Sequence, residues 1–465
     1  MSLMVKIPDG FSSERKYLIN TVFHEFLGIP VEIRTGSYQG YEIVLQNGNK
    51  LLVEDHFFSE FTDGLEYLKE KNLPEGVFCL RNQFTVEQDL PVFYGKPEIS
   101  ITDGENKSIL CRADLFADIF LMLSRWEEYV IQKKDQAGRF AEEKSFLVMH
   151  GIQRRPVVNE SAGMIWNMLL FLGYSGGPRQ RSFEPVLTHD VDEIIRNKSY
   201  FRLLRIIAGD LVLRRKPAMI FDSIRTFFKY KMGLAPDPYD TFDFLMDESE
   251  GINTKSCFYF LSQKSGSANS SRQKYSDFRY DISGPEAVRI VKNIIARGHT
   301  IGVHGSFNAF DDSDILSEEI NNLKELATEV TDCRMHYLKF TPSVTWRIED
   351  KNKILCDSTL GFSGNIGFRC GTCFSFPVFD FLMRRQLSLI EMPLTVMDTA
   401  LLELKRDPEE SYLLITSLVD VVRKYNGKFV LLWHNSSLNS HEWKSFGDIY
   451  PRIINYLGQL SAYEN

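Results

Sequence analysis

The residues whose types and spacing could do chemistry lie in the second half of the chain. Val186-Leu187-Thr188-His189-Asp190-Val191-Asp192 runs from apolar strand residues into two acids placed two positions apart. In an extended strand, residues i and i+2 point to the same side. Two carboxylates aimed at one point need a cation or a shared proton. An acid pair at the end of a parallel strand is therefore a candidate metal and acid–base site, against the plainer reading of an Asp-rich turn capping a helix. Further along stand His304-Gly305-Ser306-Phe307-Asn308, then His336, Tyr337 and Lys339 followed by Trp346, and finally Trp433-His434-Asn435. A lone histidine at a strand end is usually a satisfied polar residue. Carboxylates and imidazoles at three separate strand ends point instead to a metal-dependent hydrolytic site. In that scheme Asp192 and His304 bind a divalent ion, Asp190 takes a proton from the attacking water, and His434 gives one to the leaving group.

The elements that must position these residues are short apolar strands alternating with helices. Strands are expected at 185–189, 256–261, 299–304, 336–340, 389–396 and 428–434. Helices are expected at 240–250, 284–297, 314–330 and 409–425, the pattern of parallel β/α architecture. Such a run suits a barrel, if a distorted one, with its chemistry at the C-terminal ends of the strands. The first 180 residues read differently. A helix is expected at 13–27, strand pieces at 31–34, 41–46 and 50–53, an extended stretch at 84–102, and helices from Asp114 to Val130 and at 161–173. The expectation is a smaller α+β domain of unknown function over 1–180 and a barrel over 183–465, with a helical insertion at 196–238. Inside the insertion, 201–233 interleaves Arg202, Arg205, Arg214, Arg215, Lys216, Arg225, Lys229 and Lys231 with Leu, Ile and Phe. It reads as a solvated hairpin, a membrane-surface helix, or a cationic rim for an anionic glycan.

Bulk composition narrows the classes. The chain has 465 residues, enough for two or three cores, and a net charge of -8 that argues against a nucleic-acid backbone as its main partner. No run of 18 apolar residues occurs and no charged leader precedes an apolar stretch, so a cytoplasmic, reducing setting is expected. Cys370 and Cys373 form a lone C-x-x-C, read as buried free thiols rather than a redox or zinc site.

Over about 183–440 these residues resemble the polysaccharide deacetylase family, the NodB-homology, carbohydrate esterase family 4-like enzymes. The resemblance implies an α/β fold with a distorted (β/α)7 barrel. Thr188-His189-Asp190-Val191-Asp192 resembles the first family motif with one residue more between the acids, which implies Asp190 as base and Asp192 as ligand. Gly298-His299-Thr300-Ile301-Gly302-Val303-His304 resembles the lead-in to the second motif. It makes His304 a ligand, His299 structural, and Asn308 the occupant of the second ligand place, where the family has histidine. An amide oxygen is a poorer zinc ligand than imidazole. The third motif fits two registers, Arg334-Met335-His336-Tyr337 or Leu338-Lys339-Phe340-Thr341-Pro342; the second, with Lys339 in the arginine place, is favoured because the expected strand leads into it. Arg369, in Gly367-Phe368-Arg369-Cys370-Gly371-Thr372, is expected to hold Asp190. Leu431-Leu432-Trp433-His434 resembles the last motif, with His434 as general acid. Tyr337, Trp346 and Trp433 are the aromatic candidates for substrate contact.

With an extra N-terminal domain ending in the Ser124-Arg125-Trp126-Glu127-Glu128-Tyr129 helix, the chain looks like a divergent bacterial subgroup of that family. The implied activity is removal of an N-acetyl, less readily an O-acetyl, group from a sugar or glycan precursor. The implied cofactor is a divalent metal ion, most readily zinc. Two rivals stand beside it: a weakened deacetylase-like barrel that binds glycans or acts as a scaffold, and a metal amidase acting on a non-sugar amide.

Overall fold

The computed structural model describes residues 2–212, 217–265 and 279–462. Arg214, Arg215 and Lys216 of the expected basic helix lie outside the described residues. The chain divides into two compact units, Met1–Glu184 with Tyr337–Thr395 and Val421–Phe429, and Pro185–His336 with Val396–Asp420 and Val430–Asn465.

The first unit is built on a six-stranded mixed sheet in the order Val31–Gly36, Leu3–Pro8, Gly40–Val44, Lys50–Glu54, Ser108–Ala113, Gly95–Thr102. Leu51 and Val53 alternate with half-buried neighbours, as do Ile109, Cys111 and Ala113, so one face of the sheet is turned to a core. The helix Leu115–Ser124 is apolar but for Asp118, which accepts from the Phe93 and Tyr94 N–H groups, and Ser124, and every residue of it is buried. Asp114 caps it, its carboxylate accepting from the Ala117 N–H at 3.0 Å.

The helix expected to run unbroken to Val130 stops at Arg125, which takes a left-handed φ of 56° before a second helix, Trp126–Val130. The break turns the Arg125 guanidinium inward onto Glu127 and Glu128, all three side chains being fully buried. A non-glycine residue in that region costs about 1–2 kcal/mol. The first expected helix is also modified: Ser12–Ile19 is α-helical and Asn20–Phe26 widens into a π-helix. Cys370 and Cys373 are buried free thiols.

The second unit carries six strands: β1 (Glu184–Val191), β2 (Cys257–Phe260), β3 (Thr300–Gly305), β4 (Asp332–Met335), β5 (Val396–Met397) and β6 (Lys428–Leu432). They lie in the order β5-β6-β1-β2-β3-β4. The pairs β1/β2, β2/β3, β3/β4 and β5/β6 are all parallel. Strands β1 to β4 follow one another in chain order, the winding of a parallel β/α sheet, with β6 and then β5 on the other side of β1. All four residues of β2 are buried, as parallel strands covered by helices must be. The helices include α1 (Tyr200–Val212), α2 (Pro217–Lys231), α3 (Phe242–Gly251), α4 (Pro285–Ala296) and α5 (Ser313–Lys324). In α4, Ala287, Ile290, Val291 and Ile294 form the buried stripe.

Two strand expectations are corrected. The strand expected at 336–340 is β4, at Asp332–Met335, and His336–Leu338 is a tight turn in which Tyr337 and Leu338 take positive φ of 61° and 53°. The strand expected over 389–396 is two: Arg385–Glu391 in the first unit and β5 in the second. Pro393 lies between them and has no N–H to give a ladder. Among the described residues no helix is long and apolar enough to cross a membrane.

Candidate active site

The chemistry-bearing residues of the second unit gather at the C-terminal ends of its strands. Asp190 sits near the end of β1 and Asp192 just past it; His304 is on β3, His336 directly follows β4, Asp398 follows β5 and His434 follows β6. His189, between the acids in sequence, is turned away from them. Its Nδ1 meets the Trp433 carbonyl at 2.8 Å and its Nε2 meets Ser256 Oγ at 3.2 Å. Burial pushes that imidazole down to about 4, so it is a neutral structural residue. His299 is structural too, its Nδ1 accepting from the Ser256 N–H at 3.0 Å.

Asp192, His304 and His336 offer one ligand atom each, all within 4.8 Å of one another. Asp192 Oδ1 lies 3.3 Å from His304 Nε2 and 3.4 Å from His336 Nε2. A tetrahedral ion with bonds of about 2.0–2.1 Å spaces its ligands about 3.3 Å apart, so the separations suit a zinc-sized ion. The tautomer suits it as well. His304 Nδ1 is 2.8 Å from the Arg334 carbonyl, which can only accept, so Nδ1 carries the proton and Nε2 presents its lone pair. His304 Nε2 and Asp192 Oδ1 are both buried without a well-formed hydrogen bond, the state of ligand atoms that await a cation. Burial alone would raise the Asp192 carboxyl, but His336, His304 and His434 hold it well below the usual carboxylate range.

Two further pairs flank this trio. Arg334, fully buried, gives one hydrogen bond to Asp190 Oδ1 at 2.9 Å and one to Thr188 Oγ at 2.8 Å, with its guanidinium 4.5 Å over the Tyr259 ring. Asp190 Oδ2 is left facing His304 Nε2 at 3.7 Å. On the other side, His434 Nδ1 donates to Asp398 Oδ1 at 2.7 Å, and the His434 backbone N–H donates to Asp398 Oδ2 at 2.8 Å. His434 Nε2 then points to Asp192 Oδ2, 3.8 Å away. Burial disfavours the imidazolium, but Asp398 and the more distant Asp192 and Asp190 outweigh it, and His434 is pushed up to about 10. The arrangement offers a held carboxylate, a protonated imidazole and a three-donor cation site around one point. A cleft of about 460 Å³ opens beside Asp192 and His434.

Comparison with known proteins adds the following. Residues 3–173 match the model of a family of unknown function, DUF7033. No curated protein sequence matches the chain. Among solved structures, one described as a polysaccharide deacetylase from Mycobacterium smegmatis is 15% identical, with a TM-score of 0.36, over 62% of this chain and 92% of that one. A polysaccharide deacetylase from Pseudomonas aeruginosa PAO1 is 12% identical, with a TM-score of 0.36, over 61% and 90%. Puue allantoinase is 11% identical, with a TM-score of 0.37, over 62% and 89%. At such scores the chemistry of this site follows from its own residues.

Several expectations are corrected by those residues. The third member of the converging trio is His336; Asn308, placed there by analogy, lies in the turn 307–311 after β3. The cation that holds Asp190 is Arg334, neither Lys339 nor Arg369. Arg369 is committed inside the first unit, where Nε and Nη2 bind the Glu128 carboxylate at 2.9 and 2.6 Å. Lys339 belongs to that unit too and is buried there. Trp346 is a core residue, its indole N–H donating to Glu391 Oε2 at 3.0 Å and its ring edge-on to Phe340. Trp433 is buried between Trp443 and Tyr450, with ring centroids 5.3 and 5.2 Å away. Neither indole keeps a face for a sugar. Tyr337 alone of the three is exposed, at 38%. Asp398 was missed by the sequence reading, although an acid directly after the apolar Val396-Met397 pair carries the same strand-end signal as Asp190.

Proposed function

We propose that this protein is a metal-dependent hydrolase of the NodB-homology type that removes an N-acetyl group from a sugar or glycan precursor. The observation that carries the reading is the convergence of Asp192, His304 and His336 between the Asp190–Arg334 pair and the His434–Asp398 pair. The strand order β5-β6-β1-β2-β3-β4 supports a distorted barrel of that type. Zinc is the ion that two imidazoles, one carboxylate and their spacing favour.

Asp192, His304 and His336 would hold the ion, which when bound supplies Lewis-acid polarisation of the acyl oxygen. The protein's own groups do the rest. Arg334 fixes one oxygen of Asp190 by a hydrogen bond, leaving Oδ2 to take a proton from the attacking water. Asp398 fixes the His434 ring through Nδ1, so that only Nε2–H can be delivered, to the departing amine nitrogen. The base and the acid are thus held by separate partners, Arg334 and Asp398.

The test is acetate release from N-acetyl sugars, with chitooligosaccharides and nucleotide-linked sugars as probes. Asp190→Asn is expected to abolish turnover while bound metal is retained. Undiminished acetate release from that variant would sink the role given to Asp190, and no release from any N-acetylated probe by the metal-loaded protein would sink the function.

A further inference from the structure

The hairpin formed by α1 and α2 carries its side chains the wrong way round for a solvated surface element. On α1, Arg202, Arg205, Ile206 and Gly209 are spaced i, i+3, i+4, i+7 and line the cleft beside Asp192 and His434. On other faces of the hairpin, large apolar side chains stand in the open: Phe201 is 78% exposed, Phe221 73% and Leu204 64%, with Leu211, Met232 and Leu234 also exposed. The hairpin is nonetheless tied down. Phe227 is fully buried and packs on Tyr200 at 4.9 Å, and Arg196 Nη2 donates to Ser223 Oγ at 3.1 Å. Scattered exposed apolar residues need no explanation, but this density in one hairpin does. Arg225, Lys229 and Lys231 are interleaved with them on α2. Apolar and basic residues mixed in this way suit a helix lying in a membrane interface, and the positive charge selects an anionic surface.

The cleft beneath is charged in the same sense. Arg196, Arg202, Arg205 and Arg279 line it, against the carboxylates of Asp192 and Glu193. Glu193 is engaged by Arg202 and, at 4.0 Å, by Arg279. Among the described residues no carboxylate forms an ion pair with Arg196 or Arg205. A neutral acetylated sugar offers such guanidinium groups only uncharged hydroxyl and carbonyl acceptors, whereas a phosphate matches both their charge and their donor forks.

We infer that the α1–α2 hairpin seats this protein on an anionic membrane surface and that the arginine-lined cleft takes the phosphate of a lipid-linked acetylated sugar. The sugar rests on the function proposed above; the phosphate site and the membrane contact stand on their own residues. Lipid carrier, phosphate and sugar would then follow one another from the exposed apolar face, through Arg205 and Arg202, toward Asp192 and His434.

The experiment has two arms, both on the full chain. In the first, the protein is sedimented with phosphatidylcholine vesicles, with and without phosphatidylglycerol. Binding is expected only to the anionic vesicles, weakening with salt, and lowered about tenfold or more in the double variant Phe201→Asp/Leu204→Asp. In the second, inorganic pyrophosphate is titrated calorimetrically. Wild type and Asp192→Asn are expected to bind it, and Arg205→Glu to bind about tenfold or more weakly. Thermal unfolding of each variant shows whether it is folded.

Absence of vesicle binding, equal binding to neutral vesicles, or a self-association that Phe201→Asp/Leu204→Asp abolishes would overturn the membrane contact. Pyrophosphate binding without vesicle binding would assign the phosphate to a soluble, nucleotide-linked sugar and overturn the lipid. Pyrophosphate affinity unchanged in Arg205→Glu would overturn the phosphate site. If both arms succeed and no N-acetyl sugar is hydrolysed, the deacetylase reading and the acetylated sugar fail with it, while the membrane contact and the phosphate site stand.

Discussion

Replacing Arg334 by Met should expose how the site holds its base. Asp190 is only 2% exposed, Arg334 is fully buried, and their contact is 2.9 Å. Loss of one partner from such a pair leaves an uncompensated charge out of water, which costs about 3–5 kcal/mol. The alternative open to the variant is proton uptake by Asp190, which limits the loss but destroys the base. Either way Arg334→Met should lose acetate release completely. Adding Asp190→Asn removes the stranded charge, so the double variant should be more stable than Arg334→Met alone. The coupling should be about 1–3 kcal/mol, as expected for residues in direct contact. Urea unfolding of the four proteins, with and without a chelator, measures the cycle. A cost below about 1 kcal/mol for Arg334→Met, with additive effects in the double variant, would refute a charge pair as the support of Asp190.

Three further outcomes are expected. His336→Asn should purify with little of the metal that wild type carries, by elemental analysis, whereas Asn308→Ala should carry the wild-type amount. In chelator-treated protein His434 is raised to about 10 from an unfolded value of about 6.5. Its contribution to stability is therefore complete below about pH 6.5 and lost as pH rises through about 10. Urea unfolding across that window should show the decline, and Asp398→Asn should flatten it. Burial pushes the Cys373 thiol up to about 12 and Cys370 well above its usual range, so a thiol reagent at pH 8 should label exposed Cys79 first and this pair only on unfolding.

Much of the frame was legible because its signals are local. The apolar runs leading to Asp190, His304 and His434 are strands that end where those residues stand. What was hidden depends on register or on contacts distant in sequence. With the fourth strand expected at 336–340 rather than Asp332–Met335, the cation of the site is expected at Lys339 and not at Arg334. A shift of that size changes which side chain reaches the site. His336 enters from a turn with two left-handed residues, Tyr337 and Leu338, neither of them the glycine that would have announced it. Asp398 and His434 are brought together by the parallel pairing of β5 and β6, which no local pattern encodes. Arg369 was misassigned because a guanidinium in sequence shows its charge but not its partner, here Glu128. Trp346 and Trp433 illustrate the same limit, since a large aromatic surface serves a core as readily as a sugar.

The strand order also sets a schedule for the chain as it is made. Asp192, His304 and His336 are all supplied before residue 337, so a growing polypeptide holds its complete cation trio while β6 is still unsynthesised. The acid waits for the far end: β6 must come back to β1, where Thr188 Oγ meets the Leu431 carbonyl across 243 positions at 2.9 Å. Closing so long a loop is a late and entropically demanding event. On the function proposed above, a nascent chain would have its three candidate ligands in hand well before its candidate acid could dock, and the acid–base pair would be complete only with the last strand.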